Sequence, residues 1–482
     1  KCMHEHCADK KLKELVKWAE PLGGPFVSGY DPLPWLQSQF AYIQTGQLVA
    51  DMNQRPSGGV WMWSLADWTK TQPGKVRTPG REAPVSVATA FVEHRDTNSA
   101  VDTRYHPVLP EGDNGLCEAF GQLFVNNYVP PQWAETDETP HVFLDHMEYL
   151  LPRAKERECF LNWLAHKIQH PEVRSYAVVM VAENLQGTGR SWLRSMLEAA
   201  CQGYVNGASL GQLYGLGTTA EQTYNDWQVG CQFIVVEEAK DNSLSREDFN
   251  HGYQTFKAKI DPGKAKSVRV NPKYGATRTD SVYYNALIFS NHAVAMVIPS
   301  DDRRVAVFEN AGQLQDYAYY ERLTGALNTQ EPARVYWWLR HRDITGFDAI
   351  YPPMTAARDR MIEDAKSPAE QITDWMVENW GSDLVTKPSL KVAIQLAARE
   401  LELSKKIIQD PGPISKRLWR DFQTMRPDDK KNGARYLIGG RQQEVRAVRR
   451  REKWVDEDGS RDTARIIGEL ERREKHDNVV IL

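Results

Sequence analysis

Residues 184 to 191 read Asn184-Leu185-Gln186-Gly187-Thr188-Gly189-Arg190-Ser191, which departs from the phosphate-loop pattern G-x-x-x-x-G-K-[ST] at two positions. Asn184 stands where the first Gly belongs, and Arg190 stands for the Lys. The flanks suit the motif. Ser175 to Val181 (SYAVVMV) reads as a short buried strand, and Ser191 to Ala200 (SWLRSMLEAA) as a helix. In that setting the N–H groups of the turn and of the helix start face outward and can cradle a triphosphate. Gln186, Gly187, Thr188, Gly189, Arg190 and Ser191 are therefore the candidate ATP-binding residues, with the Ser191 hydroxyl a candidate Mg²⁺ ligand.

Three further segments carry compatible chemistry. Phe233-Ile234-Val235-Val236-Glu237-Glu238 is an apolar run ending in two carboxylates. Such a pair divides the work: Glu237 holds Mg²⁺ and Glu238 orients or deprotonates an attacking water. Ala286 to Asn291 is a strand pattern ending in an amide, which can donate to a phosphate and accept from water. Asp301-Asp302-Arg303-Arg304 precedes another strand, and either arginine suits a finger that stabilises phosphoryl charge on a neighbouring subunit. The two arginines alternatively form a solvated turn with their own aspartates.

The two departures weigh differently. Asn tolerates the positive φ of a turn, so Asn184 is a modest change. Arg190 keeps the charge of a Lys but is larger, planar and multidentate. An active ATPase with an adapted loop, a slow hydrolase and a nucleotide-assembled scaffold all remain open.

These segments need a scaffold that presents strand ends together. Strand-like runs at 175–181, 232–236, 283–290 and 304–308, separated by helical or loop segments, predict an α/β fold with a mostly parallel central sheet. Residues 10–140 read as a mixed, Trp-rich region in which Trp61, Trp63 and Trp68 fit core packing better than base stacking. Residues 141–172 form a helical lead-in, 173–312 the core and 313–365 a further helical segment. Residues 366–455 read as three helices and a hairpin, a winged-helix-like domain. A basic run, Arg441, Arg446, Arg449, Arg450, Arg451 and Lys453, surrounds the expected wing, where it either binds duplex DNA or is solvated. Residues 456–482 are a charged tail. The 482 residues carry a formal charge of −4, so the overall balance does not advertise a polyanion partner. Six Cys, unevenly spaced, suit a reducing compartment, and no apolar run is long enough for a membrane span. Cys2-Met3-His4-Glu5-His6-Cys7 supplies one pair of soft-metal ligands where a zinc site needs two, so residues 1–9 read as the end of an upstream zinc module.

Taken in order, these segments resemble the superfamily 3 helicase module of phage and plasmid primase–helicases, an AAA+-like type. The resemblance rests on Gln186–Ser191, Ile234–Glu238, Asn271-Pro272-Lys273-Tyr274-Gly275, Ile288–His292 and Asp302-Arg303-Arg304. Phe347–Met361 and Asn126–Pro131 resemble the segments that follow and precede such a core. The resemblance implies a ring, usually a hexamer, that hydrolyses ATP with Mg²⁺ at subunit interfaces and moves on single-stranded DNA. It also implies an upstream primase or polymerase domain in a longer parent chain (where zinc would belong) and a place in the cytoplasm of a host cell. A DNA-contacting hairpin is expected between the Glu237 and Asn291 strands, and Lys264, Lys266, Arg269, Lys273 and Tyr274 are its expected DNA contacts. The residues support this independently: Thr255 to Thr279 holds seven basic residues opposed only by Asp261. Asp261-Pro262-Gly263-Lys264 offers a turn for it. The alternative expectation is a DNA-binding oligomeric scaffold with weak or no hydrolysis.

Overall fold

The computed structural model describes residues 31–480 apart from 55–60, 73, 79, 184, 217–223, 238–245, 274–276, 293–295, 297, 300, 311, 426–434 and 456–461. The chain divides into two compact units, Lys1–Met361 and Ile362–Leu482. Asn184, Glu238, Tyr274 and the Cys2–Cys7 segment lie outside the described residues.

The first unit is built on a five-stranded sheet. Its strands are β1 (Ala177–Val181), β2 (Val205–Gly207), β3 (Phe233–Val236), β6 (Asn285–Ser290) and β7 (Val305–Glu309). Every pairing is parallel, and the order is β2-β3-β6-β1-β7. All residues of β1, β3 and β6 are buried, as expected where helices cover both faces of a parallel sheet and no strand side is left to alternate with polar residues. The four expected strands are present. The edge strand β2 was not anticipated, because three residues with one Gly carry no period.

Helices α1 (His141–Leu150), α2 (Ala154–Gln169) and α3 (Arg190–Ala200) pack with α5 (Tyr317–Ala326) and α6 (Glu331–His341) around one apolar core. Trp163 of α2 is fully buried there, stacked on Phe160, and its indole N–H donates to the Tyr176 carbonyl at 2.9 Å. The ring thus fills volume and also satisfies its own polar atom, which a smaller side chain cannot do.

Helix α4 (Arg246–Ile260) leads into an antiparallel hairpin of β4 (Lys266–Val270) and β5 (Arg278–Val282), registered from Lys266↔Val282 to Val270↔Arg278. The hairpin therefore lies between β3 and β6, where it was expected. The turn at Asp261-Pro262-Gly263-Lys264 is not its tip, however. It joins α4 to β4, and Gly263 exchanges two backbone hydrogen bonds with Arg174, at 2.7 and 2.9 Å. The strands pair from Lys266↔Val282 to Val270↔Arg278, so Lys264 and Lys266 sit at the root.

The region before α1 forms small sheets. Strands Phe40–Ile43, Leu48–Asp51, Met62–Ser64 and Ser99–Ala100 make one, and Thr103–Arg104, Leu116–Ala119 and Gln122–Asn126 make another. Trp68 is buried between Phe40 and Phe91, a core role. Tyr105, Tyr128, Tyr204 and Tyr283 join this region to the hairpin root and the core. Beside them Arg104 is buried and reaches Asp280 of β5 at 3.3 Å and the Thr279 carbonyl at 2.9 Å, with Phe120 and Phe124 against its guanidinium.

The second unit runs α7 (Pro368–Asn379), β8 (Leu384–Thr386), α8 (Lys387–Glu400), α9 (Lys405–Gln409), α10 (Gly412–Asp421), β9 (Gln423–Thr424), β10 (Arg435–Ile438) and β11 (Arg441–Ala447). Strand β11 pairs with β8, β9 and β10. Helices followed by a hairpin wing on a small sheet make this a winged-helix arrangement. Capping boxes start α7 at Ser367 and α8 at Thr386. The charged stretch at the end includes a helix, α11 (Thr463–Val480), whose Ile466 and Leu470 are buried against Tyr436 and Val445.

Replacing Trp163 by Ala leaves a cavity and an unpaired carbonyl, so denaturant unfolding should show the first unit destabilised by about 3–5 kcal/mol.

Candidate functional site

The loop after β1 lies where the strand order turns back, with β6 on one side of β1 and β7 on the other. Crevices at such points are where open α/β sheets take ligands. Gly187 (φ +77°) and Gly189 (φ +89°) both adopt the left-handed conformation, which explains Gly at these positions. Gly189 is the N-cap of α3 and offers no side-chain acceptor, so the first N–H groups of that helix are left to the cleft. Thr188 is buried, and its hydroxyl oxygen has no partner among the described residues. Ser191 is exposed at the first turn of α3.

Arg190 is buried and turned beneath the loop. Its guanidinium donates to the carbonyls of Met180 (3.3 Å) and Ser290 (2.5 Å), and to the side-chain oxygen of Asn291. It has no carboxylate partner among the described residues. Burial pulls its pKa down to about 10, so it remains charged at neutral pH. The structure therefore joins Arg190 and Asn291, two residues the sequence placed in separate motifs. The arrangement leaves a desolvated positive charge beneath a turn of outward-facing N–H groups, which suits a polyanion.

Glu237 follows β3 and meets Arg194 of α3 at 3.4 Å. Arg194 was not anticipated. It lies one helical turn beyond Arg190, a spacing that puts both on the same flank of the helix. The donor set of Ser191 hydroxyl and Glu237 carboxylate fits a hard cation such as Mg²⁺, with Arg194 a competitor for the carboxylate.

His146 of α1 is the second unanticipated neighbour. It is fully buried, and its Nε2 lies 3.1 Å from the Gly189 carbonyl while its Nδ1 lies 2.9 Å from the Tyr319 hydroxyl. A carbonyl only accepts, so Nε2 carries the proton and Nδ1 accepts from Tyr319. Burial lowers the pKa to about 4, which keeps the ring neutral. A Cβ at position 189 would come within 2.5 Å of this ring. Gly189 is thus required twice, by its φ and by His146.

Arg303 and Arg304 are far from the loop. Val305 pairs with Ala177 and Glu309 with Val181, so both arginines precede the N-terminal ends of β1 and β7 while the loop follows the C-terminal ends. A five-residue strand separates them from it, roughly 16 Å at ~3.3 Å per residue. Arg304 is held by Asp261 at 2.7 Å and Asp302 at 3.6 Å. Arg303 is exposed and rests on Tyr351, 5.4 Å from the ring centroid.

On the hairpin, Lys264, Lys266, Arg269 and Lys273 are exposed. Lys259, one of the seven basic residues, points inward instead, over Trp227 and onto the Gln212 carbonyl. No group of three or more His, Cys, Asp or Glu side chains among the described residues is arranged to hold a metal ion, and none of the described helices is long and apolar enough to cross a membrane.

A family of unknown function (DUF5906) matches residues 183–304, the stretch from the phosphate loop to Arg304. No curated protein matches this sequence. Among solved structures, the apo NrS-1 C terminal region (305–718) is similar, with a TM-score of 0.56 and 16% identity over 87% of this chain and 99% of that chain. The A form apo structure of the NrS-1 C terminal region gives a TM-score of 0.57 at 14% identity over 87% of this chain and 100% of that one. The chain therefore shares its fold with the NrS-1 C terminal region along nearly the whole of that structure.

Below the unfolded histidine pKa the unfolded chain binds a proton that folded His146 refuses. His146 thus contributes stability that is complete above about pH 6.5 and is lost as pH falls toward about 4, on the order of 3 kcal/mol. Urea titrations from pH 7 to 4 should show this loss, and His146→Gln should show a shallower pH dependence.

Proposed function

We propose that this chain is an ATP-driven motor on single-stranded DNA, a helicase or translocase of viral or plasmid replication, working as a ring. One observation carries the reading: the sheet order β2-β3-β6-β1-β7 brings the phosphate loop, the carboxylate end of β3 and Asn291 to the same edge. In this reading the N–H groups of Gly187, Gly189 and the start of α3 bind the β- and γ-phosphates. Ser191 and Glu237 hold Mg²⁺, which neutralises phosphate charge when bound. Glu238 orients the attacking water. Asn291, with its oxygen engaged by Arg190, presents its N–H₂ toward the γ-phosphate.

The placement of the arginines supports completion of the site by a neighbour. Arg303 is the candidate finger, because Arg304 is already paired with two aspartates. Two different exposed apolar sets support a head-to-tail contact. Exposed Leu314 lies beside Gly187, with exposed Tyr317 near it in sequence, and exposed Tyr351 carries Arg303, with exposed Ile350 and Met354 near it in sequence. Contacts between unlike patches are the kind that close into rings. Strand β6 then links the two functions, running from the hairpin root to Asn291.

A second reading is favoured by the inward position of Arg190: a DNA-binding, nucleotide-assembled scaffold with slow turnover. ATP hydrolysis with and without single-stranded DNA separates the two. The motor requires DNA-stimulated turnover that Glu238→Gln abolishes; equal rates for the two proteins would sink it. Arg190→Lys should lower or leave unchanged the rate of a motor, whereas a large gain favours the scaffold. Arg303→Ala should reduce kcat on the order of 10³-fold with nucleotide affinity little changed. Arg304→Ala should act mainly on stability, read by the unfolding midpoint.

A further inference from the structure

The basic run around the wing is largely absorbed by the second unit itself. Arg449 donates to Asp383 at 2.8 Å and to the carbonyls of Met376 and Trp380. Arg451 donates to the Thr424 carbonyl, and Arg446 to that of Phe422. Another set of cations is left facing solvent. Lys387 and Lys391 lie one turn apart on α8, and Lys416 and Arg420 one turn apart on α10. All four line one groove of about 670 Å³ together with Gly412, Ser415 and Trp419.

Like charges at this spacing repel on a helix, and here two such pairs face each other. Among the described residues, only Lys387 has a carboxylate near it, Glu444 at 3.6 Å. Lys391, Lys416 and Arg420 have none among the described residues. Such an arrangement costs the fold stability unless a polyanion fills the groove. The ring of Trp419 is buried and carries Lys387 and Arg446 against it, at 5.3 and 5.1 Å, so it offers no face to a base. Single-strand sites rely on exposed aromatic platforms; this groove has cations without one.

We propose that the groove between α8 and α10 binds the phosphodiester backbone of a nucleic-acid duplex, without reading its sequence. This goes beyond the motor reading and does not depend on hydrolysis. Lys391, Lys416 and Arg420 contact phosphates directly, and Lys387 is shared between the duplex and Glu444.

The test uses the full chain without nucleotide and measures binding to a blunt DNA duplex, a blunt RNA duplex and oligothymidylate over a range of salt. The triple variant Lys391→Ala/Lys416→Ala/Arg420→Ala removes three exposed cations that pair with no carboxylate among the described residues. Each phosphate contact contributes about 0.9 to the slope of log affinity against log salt. The expected result is a duplex slope shallower by about 2.7 and an affinity lower on the order of 100-fold near 0.15 M salt, with oligothymidylate binding unchanged. A loss on DNA alone assigns the groove to DNA, and a loss on both duplexes assigns it to either helix. An unchanged duplex slope overturns the proposal, as does an equal loss on oligothymidylate, which would make the groove a single-strand path. An unchanged circular dichroism spectrum and unfolding midpoint exclude misfolding as the cause.

Discussion

The arrangement depends on one buried cation. Arg190 begins the helix after the phosphate loop, yet its guanidinium reaches back to the ends of β1 and β6 and to Asn291. A desolvated charge is expensive, and several well-placed acceptors make it tolerable. The parallel sheet supplies them, because the carboxyl ends of adjacent strands expose their last carbonyls at the same edge. His146 holds the other side of the loop through Gly189. The loop is thus fixed from beneath by a strand edge and from behind by a helix.

The opposite edge of the sheet is organised by different pairs. Asp261 binds Arg304, and Gly263 bridges Arg174. Both contacts locate the start of the hairpin, and β5 then passes directly into β6. The two edges are therefore joined by a single strand rather than by a chain of loops. A displacement at Asn291 has a short covalent route to the hairpin, which is the kind of rigid element that coupling between sites needs.

Much of this was legible beforehand because it lies in runs. β1, β3 and β6 are unbroken apolar stretches with chemically distinctive ends, and their order fixes a parallel sheet. The contacts that define the site were not legible. Nothing in the sequence ties His146 to Gly189 or Arg190 to Asn291, since those pairs meet only when separate elements pack. Likewise Asp261-Pro262-Gly263-Lys264 carries strong turn chemistry, and it does turn, but the local signal cannot say which two elements a turn connects. The basic residues show the same limit. Charge counts placed Lys259 and Arg449 beside their neighbours, whereas packing directs both inward.

One contact bears on how force would pass through the first unit. Arg104, from the small N-terminal sheets, is buried against Asp280 and the Thr279 carbonyl on β5 of the hairpin. A buried pair of this kind is costly to break because it strands two charges. The hairpin is therefore splinted rather than cantilevered. The same N-terminal sheets are held to the core through Tyr105, Tyr128 and Tyr204, so the root of the hairpin is braced against folded chain rather than carried on two strands alone.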